Sequence, residues 1–183
     1  MPDDVRRLAS MKCQREIWCF CSKGQVFDSE GRHVVCFPDV IDILELLQME
    51  GYVMAIASRY SWPEEELALL ELFQLEDYFS YVEVYIGDKA EHFRNLRRKS
   101  GIHYEDMLFF DDSYVNIRMV SELGVVCVYV RQGMTLDLLR EGLEKFARLY
   151  PLPSSKEKTT NAVIRIQHIL KSYKVYTTYT KLK

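Results

Sequence analysis

Three short apolar runs in this sequence are each followed by polar residues of complementary chemical type. Ser58 and Arg59 come after YVMAIA (52 to 57), and Gly87, Asp88 and Lys89 come after VEVYI (82 to 86). Asp111 and Asp112 come after MLFF (107 to 110), with Asn116 one helical turn further on. A hydroxyl with neighbouring backbone donors can hold phosphate oxygens, and a lysine can offset their charge. An adjacent carboxylate pair can ligate a hard divalent cation such as Mg2+ through oxygen. Taken singly, each group has an ordinary explanation: a loop or helix cap at Ser58-Arg59, a surface lysine, an Asp-Asp turn. Their succession at three separate segment ends favours a site for phosphoryl chemistry.

The segments that position these residues alternate between two periodicities. YVMAIA, VEVYI, MLFF and VVCVYV (125 to 130) are short and rich in β-branched and aromatic residues, as expected of strands buried on both faces. Helical patterns separate them. DVIDILELLQME places Val40, Ile43, Leu44 and Leu47 on one face and stops before Gly51. SWPEEELALLELF opens with Ser61 and Glu64 in capping-box spacing and stripes Leu67, Leu70 and Phe73. KAEHFRNLRRKSG and MTLDLLREGLEKFARLY supply two further helices. This alternation predicts an α/β fold with a parallel sheet covered on both faces, and in such sheets ligands bind beyond the carboxyl ends of the strands.

Length and composition are consistent with one main domain. The chain has 183 residues, 48% of them hydrophobic, enough to bury a core. Five cysteines (Cys13, Cys19, Cys21, Cys36, Cys127) lie on or beside apolar runs without disulfide or zinc spacing, so a reducing, cytoplasmic setting is expected. No apolar run is long enough to span a membrane. Residues 151 to 183 carry seven Lys/Arg against Glu157 alone, a balance of +6, which leaves −9 of the total −3 for residues 1 to 150. That basic segment opens with PLPSSKEKTTN, linker-like in composition, and continues as AVIRIQHIL, where Val163, Ile166, Ile169 and Leu170 fit a helical stripe. A solvated or loosely docked extension is the commoner reading of such a segment, with nucleic acid or anionic lipid the less common ones. The expected organisation is an N-terminal extension (1–16), a main domain (17–150) and a basic C-terminal extension (151–183).

The ASR sequence at 57 to 59, the lysine opening a helix at 89, and FFDD with Asn116 five positions after Asp111 resemble motifs two to four of the haloacid dehalogenase (HAD) superfamily. The resemblance is closest to its magnesium-dependent phosphatase branch and covers about residues 28 to 150. It implies a HAD-like three-layer Rossmannoid sandwich with no large cap domain, and hydrolysis of phosphomonoesters through an aspartyl-phosphate with Mg2+ as cofactor. It also implies that Ser58 and Arg59 bind the phosphoryl group, Lys89 holds both nucleophile and phosphate, Asp111 ligates Mg2+ with Asp112 beside it, and Asn116 supports the acidic loop. Family substrates include phosphotyrosine in proteins and phosphorylated sugar adducts. The expected partners are therefore phosphorylated small molecules or phosphoproteins, not membranes or nucleic acid, met by a monomer.

The family nucleophile is the first Asp of a DxDxT motif ending the first strand. Here the apolar candidate for that strand is IWCFC (17 to 21), and SKGQ follows it. If Cys21 takes the nucleophile position, Lys23 takes the acid/base position, replacing two metal-facing carboxylates with a thiol and a cation. The spacing of cysteine phosphatases is absent too, since six positions after Cys19 and Cys21 stand Gln25 and Phe27 rather than Arg. VFDSEG offers Asp28 and Glu30 as substitute carboxylates, although DSEG also reads as a turn. Two classes stay open. One is a phosphatase with a substitute nucleophile. The other is a pseudophosphatase, a binding protein whose first-motif segment was replaced or deleted by divergence, splicing or a gene-model error.

Overall fold

The computed structural model describes residues 19–21, 25–27, 33–59, 63–150 and 163–166. They fall into two compact units, one formed by Met1–Cys36 with Tyr173–Lys183 and one by Phe37–Ser172. In the first, strands β1 (Cys19–Cys21), β2 (Gln25–Phe27) and β3 (His33–Val34) form an antiparallel sheet in that order. Cys21 pairs with Gln25, Phe20 with Val26 and Cys19 with Phe27; Lys23 lies outside the described residues.

In the second unit, helix α1 (Val40–Met49) leads into β4 (Val53–Ser58), α2 (Pro63–Leu72) and β5 (Tyr81–Val84). Then come α3 (Lys89–Ser100), β6 (Met107–Asp111), α4 (Tyr114–Ser121), β7 (Val126–Tyr129), α5 (Leu136–Leu149) and β8 (Val163–Ile166). The sheet is parallel throughout, in the order β5-β4-β8-β6-β7.

Helices cover both faces of this sheet. Phe93 and Leu96 of α3 and Val120 of α4 pack with Ala55, Ala57, Met107, Phe109 and Cys127, and the rings of Phe93 and Phe109 meet edge-on at 4.9 Å. On the opposite face α5 approaches closely at Gly142, where an added Cβ would stand 2.6 Å from the Phe110 ring. The Asp39 carboxylate, just ahead of α1, accepts a hydrogen bond from the Leu136 N–H of α5. Val40, Ile43, Leu44 and Leu47 of α1 are all buried, as their spacing predicts. Caps set the ends of the site-bearing helix α3: Asp88 accepts from the Glu91 N–H at 2.6 Å, and Gly101 closes the helix at φ 73°, in the left-handed region glycine tolerates.

Three expectations from the sequence need correction. IWCFC does not supply a strand of the parallel sheet: Cys19–Cys21 pairs antiparallel with the segment three residues further on. A short hairpin closes with little loss of chain entropy, whereas a parallel slot must be reached from a distance. Second, residues 163 to 166, read as part of a helical stripe, form β8, the central strand. Val163 pairs with Val53 and Met107, and Arg165 with Ala55 and Phe109, so β8 completes the ladders of β4 and β6 together. Its V-I-R-I sequence suits a strand flanked on both sides. Third, α2 is rotated relative to the Leu67–Leu70–Phe73 stripe. Leu67 is exposed, and Glu66, Leu69 and Leu70 face inward. The reason is polar rather than apolar: Glu66 turns in to accept a hydrogen bond from Ser58.

Candidate functional site at the carboxyl end of the parallel sheet

Ser58 is the last residue of β4 and is 1% exposed. Its hydroxyl donates to Glu66 Oε2 at 2.5 Å, and Glu66 is itself buried. Lys89, first residue of α3, is fully buried, and its ammonium donates to the carbonyl of Ala57 at 2.6 Å. One turn further along the same helix, His92 is also fully buried and its Nε2 stands 2.8 Å from the carbonyl of Ser58. The first turn of α3 thus grips two consecutive carbonyls at the end of β4. The Tyr85 N–H donates to that same Ser58 carbonyl at 3.2 Å, joining the exit of β5 to the cluster.

Asp111 ends β6 and is 1% exposed. Its Oδ1 accepts from the Ser113 N–H at 2.7 Å and from Asn116 Nδ2 at 2.9 Å, which fixes the carboxylate from the first turn of α4. The Asn116 Oδ1 is buried without a hydrogen-bond partner among the described residues. Asp112 and Arg59 are exposed. Among the described residues no group of three or more His, Cys, Asp or Glu side chains could hold a metal ion. Asp28 and Glu30 lie outside the described residues.

Register relates the two halves of this edge. Ala55 and Phe109 both pair with Arg165, so Ala57 and Asp111 stand at the same level, with β8 between their strands. Neighbouring strands lie about 4.8 Å apart, which puts the β4 and β6 ends roughly 10 Å apart.

Among the buried polar groups at this edge, Glu66 and His92 have no counterpart in the sequence reading. His92 carried a usable signal, since it stands three residues after Lys89 and so shares its helix face. Glu66 carried none, because EEE at 64 to 66 reads as a solvated run.

The chain matches the acid phosphatase family over residues 10–149. It is 45% identical over 140 residues to human magnesium-dependent phosphatase 1, covering 75% of this chain and 80% of that protein. It is also 30% identical over 125 residues to a HAD-like hydrolase superfamily protein of Schizosaccharomyces pombe, covering 63% of this chain and 72% of that one. The strand at 163 to 166 lies beyond the matched residues, while β4, β5, β6 and β7 lie within them. With a parallel α/β sheet, its polar groups gathered at the carboxyl edge, and these matches, the chain belongs to the acid phosphatase family of HAD-like, magnesium-dependent phosphatases.

Proposed function

We propose that this chain binds phosphomonoester or phosphate groups at the carboxyl edge of its parallel sheet and does not hydrolyse them through an aspartyl-phosphate. The observation that carries this reading is the identity of the central strand. Among the described strands, the one between β4 and β6 lies between Ser58 and Asp111. That strand is β8, and its residues Val163–Ile166 (VIRI) include no Asp or Glu. A covalent route needs a nucleophile at the reacting atom, and losing it removes most of the rate while binding groups persist.

In this reading Ser58 and the backbone donors around it contact phosphate oxygens, with Arg59 at the rim. Lys89 supplies a buried positive charge beneath them. The ligand must draw the Ser58 hydroxyl from Glu66, so binding competes with an internal hydrogen bond. Mg2+ typically binds through one or two carboxylates, water and the substrate's phosphate. Asp111, with Asp112 beside it and the unpartnered Asn116 Oδ1 in the same turn, fits such a weak, phosphate-dependent ion. When bound, the ion would offset charge on the phosphate. The partners implied are phosphorylated small molecules or phosphoproteins.

A purified-protein assay with an aryl phosphate and Mg2+, run beside thermal unfolding with orthovanadate, tests this. The expected outcome is no turnover, together with stabilisation by vanadate that Ser58→Ala weakens by about tenfold in affinity, the scale of one charge-assisted hydrogen bond. Turnover abolished by Asp28→Ala would instead establish a working phosphatase with a substitute nucleophile.

A further inference from the structure

Both ring nitrogens of His92 face hydrogen-bond acceptors. Nδ1 lies 2.8 Å from the carbonyl oxygen of Asp88, and Nε2 lies 2.8 Å from that of Ser58 and 3.1 Å from that of Tyr85. A backbone carbonyl oxygen can only accept. A neutral imidazole has a single N–H, so at one nitrogen a lone pair would be pressed against carbonyl lone pairs at hydrogen-bond distance. The imidazolium has two N–H groups and satisfies both sides.

A second observation agrees with the charged ring. Tyr85 stacks on His92 with centroids 4.0 Å apart and planes 7° apart. A cation on an aromatic face is attracted by the ring quadrupole. Burial acts the other way, because the ring is fully buried and desolvation disfavours its charge. Here three carbonyl dipoles and the aromatic face replace the lost hydration.

The titratable and charged groups around the ring come from four elements. From α3 and its cap these are Asp88, whose carboxylate accepts the Glu91 N–H, Lys89 on the Ala57 carbonyl, and Glu91. At the exit of β5 there is Tyr85, whose hydroxyl accepts from Asn95 and whose phenol burial pushes above its ordinary pKa. At the end of β4 there is Ser58, and from α2 the Glu66 carboxylate bonded to it. Glu66 opposes the two buried cations, and Lys89 repels His92.

We propose that His92 is a positioning residue: as an imidazolium it locks the Ser58 end of β4 to the start of α3. It also sets a second positive charge beside Lys89 under the oxyanion site, so that anion binding depends on the protonation of this ring. The anion half rests on the phosphate-binding reading above; the state of the ring does not. As pH rises and the ring loses a proton, one of its hydrogen bonds becomes a repulsion, the charge disappears and anion affinity falls.

The experiment uses the full chain and two readouts over one pH range. Long-range 1H–15N spectra of the histidine rings, assigned with His92→Gln, report whether one or both nitrogens of His92 carry protons. Sulfate titration reports anion affinity with a probe whose charge is constant across the imidazole range. The expected result is a doubly protonated ring at the acidic end, with sulfate affinity falling as the ring signals move to the neutral form. His92→Gln, which keeps a donor but no charge, should bind sulfate about tenfold more weakly and lose this pH dependence. A single-protonated tautomer throughout the range overturns the proposal, as does an unchanged pH profile in His92→Gln. If that variant does not fold, the wild-type ring signals decide. Absence of sulfate binding by the wild-type chain overturns the phosphate-site reading and the anion half with it, and leaves the ring signals to decide the imidazolium.

Discussion

At the scale of single residues, the site is a set of buried charges that hold one another. The Ser58 hydroxyl is bonded to Glu66, and the Lys89 ammonium and the His92 ring hold successive carbonyls of β4. Replacing Glu66 with Gln therefore has two opposite effects. It removes negative charge beside the proposed phosphate subsite, so vanadate should bind several-fold tighter. It also leaves two buried basic groups less compensated, so the fold should lose about 1–3 kcal/mol in urea unfolding. Ser58, Lys89 and Asp111 were legible in the sequence because each stands at or just past an apolar run, where strand direction alone fixes its place. Glu66 was not legible, since which member of EEE turns inward depends on the rotation of α2 against the sheet. The buried Cys127 and half-buried Cys36 thiols show the same dependence on context. Burial pushes Cys127 up to about 12 and Cys36 up to about 11 from an ordinary value of 9.0. The folded state thus favours the protonated thiols, and their contribution to stability is full below pH 9 and is lost as pH climbs through 11 to 12. Maleimide labelling at pH 8 should be slow for both in the native chain and fast after urea unfolding.

At the scale of elements, helices α1, α2, α3 and α5 and four of the parallel strands follow from periodicity, and α4 and the central strand do not. VMAIAS, MLFFD and VCVY are apolar enough to be buried on both faces whatever their neighbours, so their sequence suffices. VIRI is not, because it carries Arg165 within a basic segment and its strand conformation comes from the ladders on either side. IWCFC shows the converse. It looks like an inner strand, yet Cys19–Cys21 has an antiparallel partner in Gln25–Phe27, close by in sequence. The place of β8 makes a strong prediction for Ile164, which pairs with Met54 on one side and Leu108 on the other. Proline there removes a ladder donor from the middle of a sheet, and Ile164→Pro should destabilise the Phe37–Ser172 unit by about 3 kcal/mol or more in urea unfolding. A loss below about 0.5 kcal/mol, the size expected of an unconstrained surface site, would contradict the assignment of β8.

At the scale of the whole molecule, strands β4, β5, β6 and β7 come from the family-matched residues and the central strand β8 from outside them. The +6 balance of residues 151 to 183 suggested a solvated extension, and composition could not reveal that four of those residues sit at the centre of a sheet whose remaining strands come from the acidic part of the chain. The family resemblance was legible from three motifs; the central strand was not, because its place depends on pairing between distant parts of the chain. The consequence for the proposed function is a site read as holding phosphate with no attacking carboxylate on the described part of its central strand. The most direct measurement is a covalent trap: full-length protein with Mg2+ and a 32P-labelled phosphomonoester, quenched in acid and examined for protein-bound label. The account predicts no label on the chain while the same preparation is stabilised by vanadate. Label that is released by hydroxylamine and maps to an Asp of this chain would contradict it.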